Sequence, residues 1–142
     1  MNILPGLEST SSALAAEKVR LDIIGQNIAN AHTTRGLDGK PYARQMVSFE
    51  SKLMEVGVKE DGSKIMTIGV QVKSIESDKT VGALVYNPTH PDADEKGYVR
   101  LPNVNLTHEM VDMIAASRSY EANLQVVRTA KQMAQQALRI GK

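Results

Sequence analysis

The chain has 142 residues, enough for one domain or two small lobes, and its 42% apolar and 23% charged residues are ordinary globular proportions. Seventeen basic and sixteen acidic residues leave a net charge of +1, which speaks against a protein whose main business is holding phosphate backbones. With no cysteine, disulfides, thiolate metal sites and cysteine nucleophiles are excluded, and with one Phe, four Tyr and no Trp any core must be aliphatic.

The first element is a helix expected from about Pro5 to about Asn30. Leu7, Leu14, Leu21 and Ile28 recur every seven residues, and Ile3 and Ile24 fill part of a second series. Thr10 and Glu17 occupy the remaining second-series positions, so the stripe is narrow. Gly6, Gly25 and the Ser9–Ser12 run lower helix propensity, which makes the helix marginal without a partner. A packed two-helix core inside one globule and a stripe completed by other molecules both fit this periodicity. The segment holds no apolar run of the roughly 7–15 residues that a cleavable signal peptide needs.

After Asn30 the punctuation changes. Gly36, Gly39 and Pro41 form a loop, and a strand begins near Met46. Asp61-Gly62 is a turn signal. Met66, Ile68, Val70 and Val72 then alternate with Thr67, Gly69 and Gln71. Val81–Tyr86 and Tyr98–Leu101 are further candidate strands, and Pro88 and Pro91 keep the segment between them out of helix. The middle is therefore expected to be a small antiparallel β lobe of three to five short strands. No run approaches the about 20 apolar residues of a spanning helix.

The C-terminal helix is written most strongly. Leu106, Met110, Met113, Ser117, Tyr120, Leu124, Val127, Lys131, Ala134 and Leu138 follow one another at alternating steps of four and three. Asn105 or Thr107 can cap its start, Glu109 suits the first turn, and Lys131 and Arg139 suit the end of the helix dipole. Gly141 is a natural stop. About 32 residues at 1.5 Å each make a rod near 48 Å, too long for so small a core to cover. The fold class is α+β. Residues 1–32 and 104–142 are expected to form a discontinuous helical domain, and residues 33–103 the β-rich lobe.

Chemistry is mostly absent. The glycines fit no nucleotide loop. His32, His90 and His108 are widely separated in sequence and lack metal-ligand spacing. Asp92, Asp94 and Glu95 lack the Gly and distal Glu of a calcium loop and read as a solvated turn. No serine lies in GxSxG. Two rival classes stay open on the residues alone. One is a small hydrolase or metal enzyme assembled from distant residues. The other is a helical adaptor or secretion chaperone, for which the acidic charge common in that class is missing.

Asn27-Ile28-Ala29-Asn30-Ala31-His32-Thr33-Thr34 is unusual, with two Asn and then two Thr at a helix end. By composition it reads as helix termination and a structured turn. Continued through Arg35-Gly36, it resembles the N-terminal signature of bacterial flagellar rod and hook proteins: Asn-x-Ala-Asn, Thr-rich residues, then Gly-Tyr. Here that last step is stretched from Gly36 to Tyr42. Tyr86-Asn87-Pro88, Pro91–Asp94, Gly97–Val99, Leu101–Asn105, Glu109–Met113 and Ala116–Asn123 resemble the C-terminal blocks of the same family. The likeness spans roughly residues 1–50 and 84–142.

The resemblance implies an axial structural protein and no enzyme, with no cofactor, no metal, no nucleic acid and no small-molecule substrate. It implies partners: further copies of the chain, other rod proteins, a base-linking adaptor and the flagellar export apparatus. It also implies export through the type III channel without a cleaved signal, and residence in the periplasmic rod of the basal body. It implies that the helices of residues 1–32 and 104–142 pair as a coiled coil, with an expected assembly stripe of Leu7, Leu14, Leu21, Ile24 and Ile28 against Met110, Met113, Tyr120, Leu124, Val127 and Leu138. Asn27, Ala29, Asn30, Thr33, Gly36 and Tyr42 carry over as the family's turn.

Overall fold

The computed structural model describes residues 4–59 and 62–140, with side chains described from Gly6 to Arg139. Ile3, Asp61 and Gly141, named above, lie outside the described residues. The elements run α1 (Leu4–Ala29), β1 (Gln45–Val58), β2 (Lys64–Ser77), β3 (Leu84–Tyr86), β4 (Tyr98–Arg100) and α2 (Leu106–Ile140). This is the expected α+β arrangement, two terminal helices with antiparallel strands between them.

Each helix end has a side-chain reason. At the close of α1, the Asn30 side-chain amide donates to the Gln26 carbonyl at 2.9 Å, satisfying an oxygen the helix leaves open. At the start of α2, Asn105 is the cap. Its Oδ1 accepts from the His108 N–H at 3.2 Å, and Glu109 begins the helical ladder on the Asn105 carbonyl.

The helices pack antiparallel, tied at two points. Asn27 meets Glu109, and Ser119 donates to Glu17 at 3.0 Å. Ten residues back along α1 correspond to ten residues forward along α2, so both ties obey one register. By that register Leu4 lies level with Gln132, and the last two turns of α2 run past the first described residue of α1. Among the described elements α2 packs only on α1, while α1 also packs on β2 and β1.

The strands correct the sequence expectation. They form two separate two-stranded sheets, β1–β2 and β3–β4, and β1 and β2 are long, at 14 residues each. The ribbon bends at irregularities between Ser48 and Phe49 and between Glu55 and Gly57. The alternation in β2 is as written, but its orientation is opposite to the usual rule. Gly69 is buried toward α1, while Met66, Ile68 and Val70 are exposed. The helix approaches too closely there for a side chain: a Cβ on Gly69 would lie 2.7 Å from Ser12 Oγ. Ser9 donates to the Ile68 carbonyl at 2.8 Å and the Val70 N–H donates to Ser12 Oγ at 2.9 Å. Small polar residues of α1 thus zip onto the edge of β2.

The apolar core is slight. Its buried members are Ala16, Ile23, Ile24, Ala31, Val99, Ala116 and Ala130, and the largest fully buried side chains are Glu109 and Asn27. No described helix is long and apolar enough to cross a membrane.

Candidate functional site

The buried polar pair sits where α1 ends, β1 begins and α2 starts. Asn27 uses its whole hydrogen-bonding capacity there. Its Nδ2 donates to Glu109 Oε2 and to the Gln45 carbonyl, both at 2.9 Å. Its Oδ1 accepts from the Tyr42 hydroxyl and from the Gln45 N–H, again at 2.9 Å. One side chain therefore ties α1 to α2, to the first residue of β1 and to the loop before it.

Glu109 is sealed from solvent, which is tolerable for a carboxylate only when it is paired. Arg44 Nε supplies the charge at 2.6 Å from Oε1, and its guanidinium reaches the more exposed Asp112 at 3.6 Å. The Arg44 backbone N–H donates to Asn103 Oδ1 at 2.7 Å, and Asn103 Nδ2 donates in turn to Thr80 Oγ1 and the Asp78 carbonyl. Burial, and then the nearby Glu109 carboxylate, push the Tyr42 hydroxyl above the usual phenol range. The N–H of Thr80, followed by its hydroxyl, holds the Asp78 carboxyl below the usual range.

The turn between α1 and this junction is built from the Asn- and Thr-rich stretch. Thr33 N–H donates to the Asn30 carbonyl, Thr33 Oγ1 to Asn30 Oδ1, and Tyr42 N–H to the Thr33 carbonyl. Gly36 N–H bonds the Lys40 carbonyl, closing a small loop in which Gly39 takes φ +75°. Thr34 and Arg35 reach Asp92, at 2.8 and 3.4 Å, and so tie the turn to the segment between β3 and β4.

Asn27, Asn30, Thr33, Gly36 and Tyr42 thus stand in one connected turn and junction, while Ala29 is exposed at the last residue of α1. Along the helices, Ile24 is buried. Leu7, Leu14, Leu21, Ile28, Met113, Tyr120, Leu124 and Val127 are half-buried, and Met110 and Leu138 are exposed. The covered line of α2 runs through Glu109, Met113, Ala116, Tyr120, Val127 and Ala130, one residue to the side of the expected stripe at Met110, Ser117 and Lys131. Glu109, read as a helix-dipole partner, belongs to that buried line. Its place four residues before Met113 and seven before Ala116 was the available cue. Arg44 and Asp78 carried no cue.

These groups can position chain segments against one another. Among the described residues, no three His, Asp or Glu converge as a metal-binding group.

The chain matches two family models, described as "Flagella basal body rod protein" over residues 7–35 and "Flagellar basal body rod FlgEFG protein C-terminal" over residues 95–140. Along its length it is similar to curated relatives called flagellar basal-body rod protein FlgC. It is 41% identical to that of Borreliella burgdorferi, over 99% of this chain and 98% of the relative. It is 41% identical to that of Bacillus subtilis over all of both chains, and 38% identical to that of Salmonella typhimurium over 99% of each.

Proposed function

The chain belongs to the family of the flagellar basal-body rod protein FlgC, and from that premise we propose how it is built into the rod. It is a structural subunit of the bacterial flagellar basal-body rod, assembling with other rod components and catalysing nothing. The finer reading places it in the proximal part of the rod, polymerised by helix packing.

The observation that carries this reading is uncovered surface. The chain exposes 10224 Å², whereas a compact monomer of 15.5 kDa exposes about 7,200 Å². The excess of about 3,000 Å² is of the size that obligate interfaces bury. Exposed large apolar side chains lie in the β-rich part, among them Leu53, Ile68 and Val81, and on α2, at Val111, Ile114, Val126, Met133 and Leu138. Contacts that are not self-complementary, repeated without closing, extend such a subunit into a helical tube.

In this reading the stripe from Leu7 to Ile28 and from Met110 to Leu138 is shared between the partner helix and neighbouring subunits. Residues 1–32 and 104–142 make the inner helical part, and residues 33–103 the lobe. The turn at Asn27, Ala29, Asn30, Thr33, Gly36 and Tyr42 redirects the chain between them, supported by the hydrogen bonds within it. The resemblance of residues 27–36 to the rod and hook signature supports export through the flagellar type III channel without cleavage, and residence in the periplasmic rod. It also supports contact with a base-linking adaptor.

The test is purification of basal bodies from a strain whose only copy carries a small internal tag. The tagged chain is expected in the rod fraction with its N-terminal sequence intact by mass spectrometry. A chain recovered only as a soluble cytoplasmic monomer in motile cells would overturn the reading.

A further inference from the structure

The α1–α2 seam is built mainly from small and interchangeable apolar residues, and that leaves its register open. In the observed register Ile23 lies level with Met113, Ala16 with Tyr120 and Ala13 with Asn123, as fixed by the Asn27–Glu109 and Glu17–Ser119 ties. Sliding α2 by seven residues, just under two turns, restores the same faces to one another. Ile23 would then meet Tyr120, Ala16 would meet Val127 and Ala13 would meet Ala130. Those pairs are no less apolar than the observed ones. Across these three pairs the seam does not choose between the two arrangements, although the slip would also bring Asn123 to the sealed place of Ala116.

The polar ties do choose. After the slip Asn27 would stand level with Ala116, and Glu17 with Val126. Glu109 would pass beyond the end of α1 and leave both the Asn27 amide and Arg44. An Asn27 amide hydrogen buried against Ala116 without its carboxylate, and an Arg44 guanidinium stripped of Glu109, cost more than any apolar pair gained. We infer that Glu109, seconded by Ser119, is the residue that selects a single register for the two helices. It acts by penalising the slipped pairing. This selection is a property of the single chain and does not rest on its place in the rod.

The absence of cysteine makes the test clean. Ala13→Cys with Asn123→Cys reports the observed register, and Ala13→Cys with Ala130→Cys reports the slipped one. Seven helical residues are about 10.5 Å along the axis, beyond the roughly 7 Å between Cα atoms that a disulfide bridges. The full chain is oxidised at high dilution, and intramolecular disulfides are counted by mass, with helicity followed by circular dichroism.

With Glu109 present, including in Ser119→Ala, only the first pair should close. In Glu109→Met with Ser119→Ala, helicity should persist and closure of the second pair should rise by about tenfold or more, as loss of the polar penalty requires. Unchanged selectivity in that double variant would show that the apolar seam sets the register itself. Loss of helicity and of both disulfides would show that the cluster holds the pair together without choosing its register. Either result overturns the inference.

Discussion

Asn27 and Glu109 stand 82 positions apart in the chain and meet at 2.9 Å, both closed off from solvent. Glu109→Ala should be severe, because it leaves a cavity, a bare Asn27 N–H and an Arg44 guanidinium stripped of its shortest partner. A loss of about 3–5 kcal/mol is expected in urea unfolding. Asp112→Ala removes a longer, solvent-screened contact to the same arginine, and should cost under about 1 kcal/mol. Equal losses would mean that the burial of Glu109 contributes nothing special.

Tyr42 gives a pH signature. Its hydroxyl donates to Asn27 Oδ1, and its pKa in the fold is raised above the ordinary 10.0. The folded state therefore keeps the proton longer than the unfolded chain. The stabilisation is fully present below pH 10 and fades as pH climbs through the raised value. Tyr42→Phe should lose about 0.5–1.5 kcal/mol at neutral pH. The gap between wild type and Tyr42→Phe should then narrow above pH 10. A gap constant from pH 8 to 11 would contradict this.

Gly69→Ala tests how the ribbon sits on α1. A methyl there meets the Met54 side chain and Ser12 Oγ, and Ser12 is also the acceptor for the Val70 N–H. A loss of about 1–3 kcal/mol is expected from overpacking. Amide exchange at Val70 should accelerate at the same time. Adding Met54→Ala should recover only part of the loss, since Ser12 still stands in the way.

Gly69 also shows where sequence reasoning stops. Alternation along Met66–Val72 reports that the strand has two faces, but not which face is covered. A one-sided antiparallel sheet ordinarily covers its apolar face. The helix instead approaches the face where glycine leaves room, and Ser9 and Ser12 complete the contact. The length of β1 was equally hidden, because Glu50, Ser51 and Lys52 carry no strand signal and are held by pairing with β2. The helices were legible because their periodicity is long, even though Thr10 and Glu17 break it in α1 and Ser117 and Lys131 in α2. The covered line of α2 was displaced by one residue because alanines, not leucines, fill the close approach at Ala116 and Ala130. The junction was half legible. Asn27, Asn30 and Thr33 announce a turn, whereas Arg44 and Glu109 become an ion pair only once residues 65 positions apart are brought together.

Ile24 and Leu138 both belong to the stripe expected to drive assembly, yet the fold treats them oppositely. Ile24 is 6% exposed and Leu138 is 74% exposed. Ile24→Ala should destabilise the single chain by about 2–5 kcal/mol, since it empties a site already packed. Leu138→Asp should leave urea unfolding within about 0.5 kcal/mol of wild type, because it changes a solvated position. The order should reverse in the cell. If neighbouring subunits cover the overhanging end of α2, Leu138→Asp buries a charge at that contact and leaves it unpaired. The variant should be made and exported at normal levels but should fail to enter basal bodies, and cells carrying it should not swim. A fully motile Leu138→Asp strain would remove this end of α2 from the assembly contact, whatever the fate of Ile24.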